Sequence, residues 1–146
     1  MFVEQILPRA RERLAVVDVG TPVRDAAELM AKSHIEMVIV CSAGMVAGVV
    51  TKTDIVAQVS QDSGPGFATP VETIMTRDVT HCRATDLLRD VWQVMKERGL
   101  HRIPIVDDGH NPIGIVYTRD ALQGLLSEVE IEDELLRDYV SGVGYR

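Results

Sequence analysis

The sequence predicts a mixed fold of the α/β (α+β) class, in which a β-α-β-β-α unit occurs twice and a C-terminal helix follows. The first observation behind this prediction is a repeated heptapeptide, because residues 48–54 (Gly-Val-Val-Thr-Lys-Thr-Asp) return imperfectly as residues 114–120. The second is composition, since 46% hydrophobic but only 4% aromatic residues suit short aliphatic strands backed by helices. Because half of 146 residues would make a thin core, we expect two sheets packed on each other about a pseudo-twofold axis.

Hydrophobic spacing and turn residues place the elements of the first unit, residues 1–59, in order. A helical turn over residues 3–7 is expected to stop at Pro8, and Pro22 is expected at the first position of a helix. Residues 42–44 (Ser-Ala-Gly) have the length and composition of a hairpin turn between two strands. The predicted strands cover residues 14–17, 35–41 and 45–50, and the predicted helices begin at residue 21 and at about residue 52.

The second unit, residues 71–126, follows a linker at residues 60–70 that contains the sequence Gly-Pro-Gly. Its helical turn at residues 71–75 echoes residues 3–7, and its hairpin loop is one residue longer than that of the first unit. The predicted strands cover residues 79–82, 102–106 and 113–117, and the predicted helices cover residues 87–98 and start again at about residue 118.

Residues 127–146 form a C-terminal helix and tail with no counterpart in the first unit. Acidic residues share the predicted helix with apolar residues on one face, so the segment either caps the module or packs this apolar face on a second subunit. The acidic residues are Glu128, Glu130, Glu132, Asp133 and Glu134, and the apolar ones are Leu125, Val129, Leu135, Leu136 and Tyr139.

The net charge of −7, with no run of Lys or Arg to oppose it, argues against nucleic acid as a partner. A small anion in a locally basic pocket remains compatible with this charge, because neighbouring charges govern such a site. We recognise no signal peptide and no apolar run near the roughly 20 residues of a membrane helix. A cytoplasmic protein without membrane contact is therefore expected.

Two interpretations of Thr51, Thr53 and Asp54 remain open. As a capping box, Thr51 would bind backbone N–H groups of the helix and Asp54 would bond back to its start. As a binding site, the helix N-terminus and the two threonine hydroxyls would suit phosphate, and Asp54 would accept bonds from two ribose hydroxyls. Gly48 would leave room for a ligand beside the strand.

His101 and Arg102 form the second candidate group, because arginine pairs with phosphate and a partly protonated histidine can assist. A surface strand end with solvated charges explains the two residues equally well. The sequence contains no nucleophile–His–acid order, metal-ligand spacing or phosphate-binding glycine loop. We therefore expect no enzyme, no catalytic residue and no metal site.

Together these motifs resemble a tandem pair of CBS (cystathionine β-synthase) domains, the Bateman module, of the small stand-alone bacterial type. The resemblance rests on the duplicated Gly-h-h-Thr-x-x-Asp (h, hydrophobic), on residues 21–23 with Met30, and on residues 74–79 and 101–107. It implies an adenosine-containing ligand (AMP, ADP, ATP, NAD or S-adenosylmethionine) between the repeats. It also implies a homodimer of modules and a regulated protein partner.

The resemblance further implies two pseudosymmetric ligand sites. In the first site, Asp54 would hold the ribose, and apolar residues would line the base. The residues implied for the first site are Val49, Thr51, Thr53, Asp54, Thr76, Val79, Thr80, Leu100, His101 and Arg102. Those implied for the second site are Ala15, Ile35, Glu36, Ile115 and Asp120.

The second copy departs from the family pattern at Tyr117, where a small hydroxyl residue is expected, and at Arg119, which replaces Thr53. Tyr117 would block the phosphate position unless Thr118 and Arg119 substitute, so we expect the second site to be the weaker one. The function implied is an adenine-nucleotide-binding regulatory module that senses energy or metabolite state. The alternative is a ligand-free scaffold for dimerisation or interaction.

Overall fold

The computed structural model describes residues 1–61 and 66–144, and within them it has the mixed α/β architecture that the sequence predicts. Residues 62–65 of the predicted linker and residues 145–146 of the predicted tail lie outside the described residues. In chain order the helices are α1 (Leu7–Glu12), α2 (Val23–Ser33), α3 (Lys52–Gln61), α4 (Leu88–Arg98) and α5 (Thr118–Gly144). The strands are β1 (Val16–Asp18), β2 (Met37–Ser42), β3 (Met45–Thr51), β4 (Arg102–Val106) and β5 (Pro112–Tyr117). In the described part of the chain, no helix is long and apolar enough to span a bilayer.

Each repeat contributes one small sheet. In the first sheet, β1 runs parallel to β2 with Val16 opposite Ile39, and β2 runs antiparallel to β3 with Ile39 opposite Val49. In the second, β4 and β5 form an antiparallel hairpin with Pro104 opposite Ile115. Each hairpin therefore ends at a strand-to-helix junction, where β3 leads into α3 and β5 leads into α5.

The two sheets pack against each other through a buried cluster that joins Ile39 and Val49 of the first sheet to Ile115 and Tyr117 of the second. Val79, from the segment that enters the second sheet, packs on the same cluster. Full burial of an aliphatic or aromatic side chain contributes about 1.5–3 kcal/mol, so this contact holds the repeats together. Further buried clusters join each sheet to its helices, through Val23, Ala26, Val40 and Val50 in one repeat and Leu88, Val91, Met95, Ile103 and Val116 in the other.

Several predicted elements differ in the structure. Residues 79–82 do not form the predicted strand, because in the described chain this segment pairs only through Cys82, in an isolated bridge to Ile105. The predicted stop at Pro8 is also wrong, since α1 contains Pro8 in its first turn, where the missing N–H group is not needed. Pro22 is the N-cap residue of α2 rather than its first helical residue, and β1 covers residues 16–18 instead of residues 14–17.

Helix α5 runs without a break through residues 126 and 127, so the predicted boundary between the second unit and the tail falls inside one helix. Its first turns pack on the core through Ala121 and Leu125, and Glu128 binds the amino group of Met1 at 3.1 Å. Every residue from 129 to 139 is exposed. The beginning of α5 therefore caps the module, while its later turns have no contact that buries them within the described chain.

Candidate functional site

Both repeats end a buried strand with a carboxylate in the first turn of the helix that follows. β3 ends at Thr51 and α3 carries Asp54, whereas β5 ends at Tyr117 and α5 carries Asp120. Aliphatic residues before each junction favour a strand, and an acid in the first helical turn favours the helix start. We call these places the first and second junctions, and their surroundings differ.

At the first junction, Thr51 and Asp54 form a capping box. Asp54 Oδ2 accepts hydrogen bonds from the backbone N–H of Thr51 at 2.8 Å and from its hydroxyl at 3.1 Å. The backbone N–H of Asp54 in turn donates to Thr51 Oγ1 at 3.4 Å. Asp54 Oδ1 accepts no hydrogen bond from the residues that the structure describes, and Thr53 is exposed. One carboxylate oxygen thus stabilises the helix, and the other is available to a ligand.

At the second junction, an arginine of the same chain binds both oxygens of the carboxylate. Arg13 donates to both oxygens of Asp120, at 3.0 Å from Nε and at 3.2 Å from a terminal nitrogen. Arg9 Nε lies 3.6 Å from Asp120 Oδ1, and Asp120 is only 5% exposed. The guanidinium of Arg13 also lies 4.4 Å from the centre of the Tyr117 ring. Because Asp120 accepts its hydrogen bonds, the pKa of Arg13 is raised above its ordinary value.

Arg102 is implied for the first site, whereas its described contacts are with Glu36 and Tyr117. It donates to Glu36 Oε2, and its guanidinium carbon lies 5.4 Å from the centre of the Tyr117 ring. This hydrogen bond lowers the pKa of Glu36 below its ordinary value. The Tyr117 hydroxyl accepts from the backbone N–H of Glu36 at 3.4 Å, and Arg102 Nε is buried with no hydrogen-bond partner in the described chain. Arg102, implied for the first site, is therefore paired with Glu36, a residue implied for the second site.

Of the other residues of the first predicted site, Thr76 contacts the strand of the first junction, whereas Thr80 contacts α4 of the second repeat. Thr76 and Val49 exchange two backbone hydrogen bonds, at 3.0 and 2.9 Å. The hydroxyl of Thr80 accepts from Arg98 at 2.9 Å. This segment also borders a cavity of about 360 Å³, whose lining includes Asp78, Val79, Thr80, His81 and Arg98.

Leu100 and His101 follow α4, where Leu100 is half-buried and His101 is exposed. The carbonyl oxygen of His101 accepts from both the backbone N–H of Thr118, at 3.0 Å, and its hydroxyl, at 3.1 Å. The hydroxyl proton of Thr118 is therefore engaged, which weakens the suggestion that Thr118 supplies a phosphate donor at the second junction.

The apolar residues of the second predicted site lie in or beside the core. Ala15 is buried, and its carbonyl oxygen accepts from the backbone N–H of Ile39 at 2.8 Å. Ile115 is fully buried between the sheets, and Ile35 packs partly buried beside Ala15. These three residues contribute packing, and the polar members Glu36 and Asp120 are both paired with arginines.

Sequence reasoning missed Arg9 and Arg13. The sequence contains a pattern that could have indicated them, because the two arginines stand four residues apart, the spacing that puts side chains on one face of a helix. The expectation that the helical turn stops at Pro8 concealed it. Their partner Asp120 also stands more than a hundred residues away in the sequence, at a separation of 107 from Arg13.

Comparison with known proteins accounts for the duplicated junction. The family model for the CBS domain matches the chain twice, at residues 3–61 and 71–127. The chain belongs to the CBS domain family. It is a CBS pair, in which each matched domain contains one of the two sheets and one of the two junctions.

This CBS pair is similar to the CBS domain-containing protein YhcV of Bacillus subtilis, at 29% identity over 108 residues, which cover 74% of this chain and 76% of that protein. It is similar in structure to CBSX2 in complex with AMP, with a TM-score of 0.76 and 25% sequence identity over 86% of this chain and 96% of that one. Homoserine O-acetyltransferase of Methanosphaera stadtmanae is 31% identical over 105 residues, or 70% of this chain. The match covers only 20% of that enzyme, so its activity is not carried over.

Proposed function

We propose that this CBS pair is a regulatory module that binds an adenosine-containing ligand, such as AMP, ADP, ATP or NAD, and senses energy or metabolite state. CBS-pair proteins are in general regulatory rather than catalytic, and CBSX2 is known in complex with AMP. The observation that carries the proposal is the unengaged oxygen of Asp54 at the exposed start of α3.

The parts of such a ligand match the groups at the first junction. Asp54 Oδ1 would accept hydrogen bonds from the ribose hydroxyls, while the first N–H groups of α3 and the Thr53 hydroxyl would bind phosphate. Lys52 is exposed and adds a positive charge at the same place. Arg102 would reach the ligand only by leaving Glu36. The proposed contacts with the base are Val49, Val79 and Leu100, and those from the second repeat are Thr76, Thr80 and His101.

A ligand regulates such a module only if it binds one arrangement of the repeats more tightly than another. The two backbone hydrogen bonds between Val49 and Thr76 connect the first junction directly to the segment that enters the second repeat. A ligand that contacts both sides would therefore stabilise one relative position of the repeats. The proposed output is a change in the affinity of the module for a second copy or for a regulated protein.

Calorimetric titration with AMP, ADP, ATP, NAD and S-adenosylmethionine tests this proposal. We expect one of these ligands to bind at one molecule per chain and Asp54→Asn to weaken it about tenfold or more. The asparagine keeps one oxygen for the capping box but removes the second carboxylate oxygen. A hydrogen bond to a charged group is worth about 1.5–3 kcal/mol, and about 1.4 kcal/mol is a factor of ten in affinity.

Asp90→Asn is the matched control, because Asp90 also lies in the first helical turn, of α4, and is 69% exposed. It should bind the ligand as the wild type does. Asp54→Ala additionally removes the cap and should lower the free energy of unfolding by about 1 kcal/mol. If none of the five ligands binds the wild type, the function is contradicted. If Asp54→Asn binds normally, the site is contradicted.

An interaction role is the second candidate, and the exposed part of α5 favours it. Leu122, Val129 and Leu136 are all exposed and recur every seven residues, the spacing of a helix that pairs with another helix. We define these three residues as the apolar stripe of α5. We propose that the stripe packs on α5 of a second copy and that the module is a homodimer, which light scattering would detect as a doubled mass.

A further inference from the structure

The contacts of Arg13 indicate a function for the N-terminal helix. Arg13 donates two hydrogen bonds to Asp120 and lies on the ring of Tyr117, so it fills the second junction. We infer that Arg13 is a built-in occupant of this junction, which keeps it closed and limits the chain to one ligand. The inference rests on the proposed function only for the identity of the ligand at the first junction.

Close packing of α1 on β5 holds Arg13 in position. Ala10 is 1% exposed, and a Cβ atom added to Gly114 would lie only 2.9 Å from the Cβ atom of Ala10. Glycine at position 114 is therefore what allows α1 to come this close. Arg13 follows directly as the C-cap residue of α1, and Arg9, one turn earlier, approaches the same carboxylate. The guanidinium is consequently held at the junction by its own helix.

The guanidinium makes contacts of the kind that a ribose would make at the open junction. Its planar fork donates two N–H groups to one carboxylate, as two ribose hydroxyls would donate to Asp54. The side chain of Asp120 is only 4% exposed and that of Arg13 is 21% exposed. A competing ligand would have to displace Arg13 and leave its charge without a partner, which is costly in a buried site.

The equivalent position at the first junction carries the opposite charge. Cys82 forms a parallel bridge with Ile105, just as Val17 pairs in parallel with Val40 in the first repeat. Cys82 lies 65 positions after Val17, and Ile105 lies 65 positions after Val40, so equivalent residues in this part of the two repeats differ by 65 positions. The same offset relates Arg13 to Asp78, which is exposed. An aspartate carries no hydrogen-bond donor and no positive charge, so it cannot bind the carboxylate of Asp54 as Arg13 binds that of Asp120. The residue at this position is therefore one of the differences between the closed junction and the open one.

Chemical rescue tests the closed junction without any nucleotide. Arg13→Ala should have a lower melting temperature than the wild type, because the buried Asp120 loses two hydrogen bonds and keeps only the more distant contact with Arg9. Ethylguanidinium at millimolar concentration should restore most of that loss, and ethylammonium, which cannot bind bidentately, should restore little. In Arg13→Ala/Asp120→Asn the carboxylate is gone, so neither cation should have a specific effect. If Arg13→Ala does not fold, Arg13→Lys tests the contact without added cation, because lysine keeps the charge but loses the bidentate geometry and should melt below the wild type.

A converse substitution tests whether an arginine at this position closes a junction. Asp78→Arg should bind AMP, or whichever of the five ligands binds the wild type, at least tenfold more weakly than Asp78→Asn, which removes the charge without adding a guanidinium. Equal affinities of these two variants would overturn the inference, as would equal effects of ethylguanidinium and ethylammonium on Arg13→Ala. If the wild type binds no nucleotide, the proposed function fails, but the rescue experiment still decides the role of Arg13.

Discussion

Charged and aromatic side chains form a continuous line of contacts between the two repeats. Asp120 binds Arg13, the guanidinium groups of Arg13 and Arg102 both lie on the ring of Tyr117, and Arg102 binds Glu36. Each guanidinium therefore has a carboxylate partner and an aromatic contact, which offset the cost of removing it from water. Tyr117, which departs from the family pattern, is the residue on which both arginines meet.

The pair of Glu36 and Arg102 predicts a loss of stability in acid. Hydrogen bonding to Arg102 lowers the pKa of Glu36 below its ordinary value of 4.5. The pair therefore stabilises the folded protein fully above that pH and loses its effect as the pH falls through the lower folded-state pKa. Glu36→Gln should cost about 0.2–1 kcal/mol at neutral pH, a small effect because the Glu36 side chain is 37% exposed.

Thermal melting from neutral to acid pH checks this prediction, because the difference between Glu36→Gln and the wild type should shrink below about pH 4.5. Arg102→Gln removes the same pair from the other side and is the control. The variant Glu36→Gln/Arg102→Gln should cost less than the sum of the two single changes. A difference that stays constant into acid would contradict the assigned role of Glu36.

At the scale of elements, the sequence predicts both hairpins within two residues at each strand end. Their aliphatic runs are bounded by turn residues, which makes them recognisable without the rest of the fold. Residues 79–82 show the limit of this reasoning. Cys82 bonds with Pro104 and Val106, but no described strand pairs with the residues before it. Apolar spacing indicates a possible strand and says nothing about whether a neighbouring strand is available.

The same limit applies to the candidate site. The repeated heptapeptide locates Asp54 and Asp120, because strand-to-helix junctions and capping residues are encoded locally. The closure of the second junction by Arg13 depends on two helices that are adjacent only in the folded chain. Tyr117 and Arg119 suggest from the sequence that the second junction is weaker, but the group that occupies it is found only in the structure.

The close contact of β3 with the segment that enters the second repeat predicts a strong effect at Gly48. An added Cβ atom would lie 2.6 Å from Met75 Sδ and 2.7 Å from the carbonyl oxygen of Thr76. Gly48→Ala should therefore lower the free energy of unfolding by about 1–3 kcal/mol, measured by urea denaturation. Gly20→Ala is the control, since its Cβ atom would meet only Asp18 Oδ2 at 3.8 Å. Equal stabilities of the two variants would contradict this account of the contact.

At the scale of the whole molecule, two similar hairpins lead into two junctions that differ. The first repeat contains α1, with its arginines, before its first strand, whereas the second begins with the 3-10 turn Val71–Thr73 and carries Asp78 before its first strand. If Arg13 closes the second junction as inferred, the described part of one chain offers no second site of this kind to which the first could be coupled. Cooperative binding would therefore require two chains, since coupling needs two sites.

If two copies pair through α5, introducing one charged residue into the apolar stripe should separate the two copies. Leu136 is 63% exposed and lies seven residues from Val129, so a second helix would bury both. Leu136→Glu should halve the mass measured by light scattering, because it would place an unpaired carboxylate in the contact. Ile131→Glu is the matched control, since Ile131 is 55% exposed but lies on the opposite side of the helix at about 3.6 residues per turn. A monomeric wild type, or the same loss of mass in both variants, would contradict the homodimer and leave α5 with its capping role.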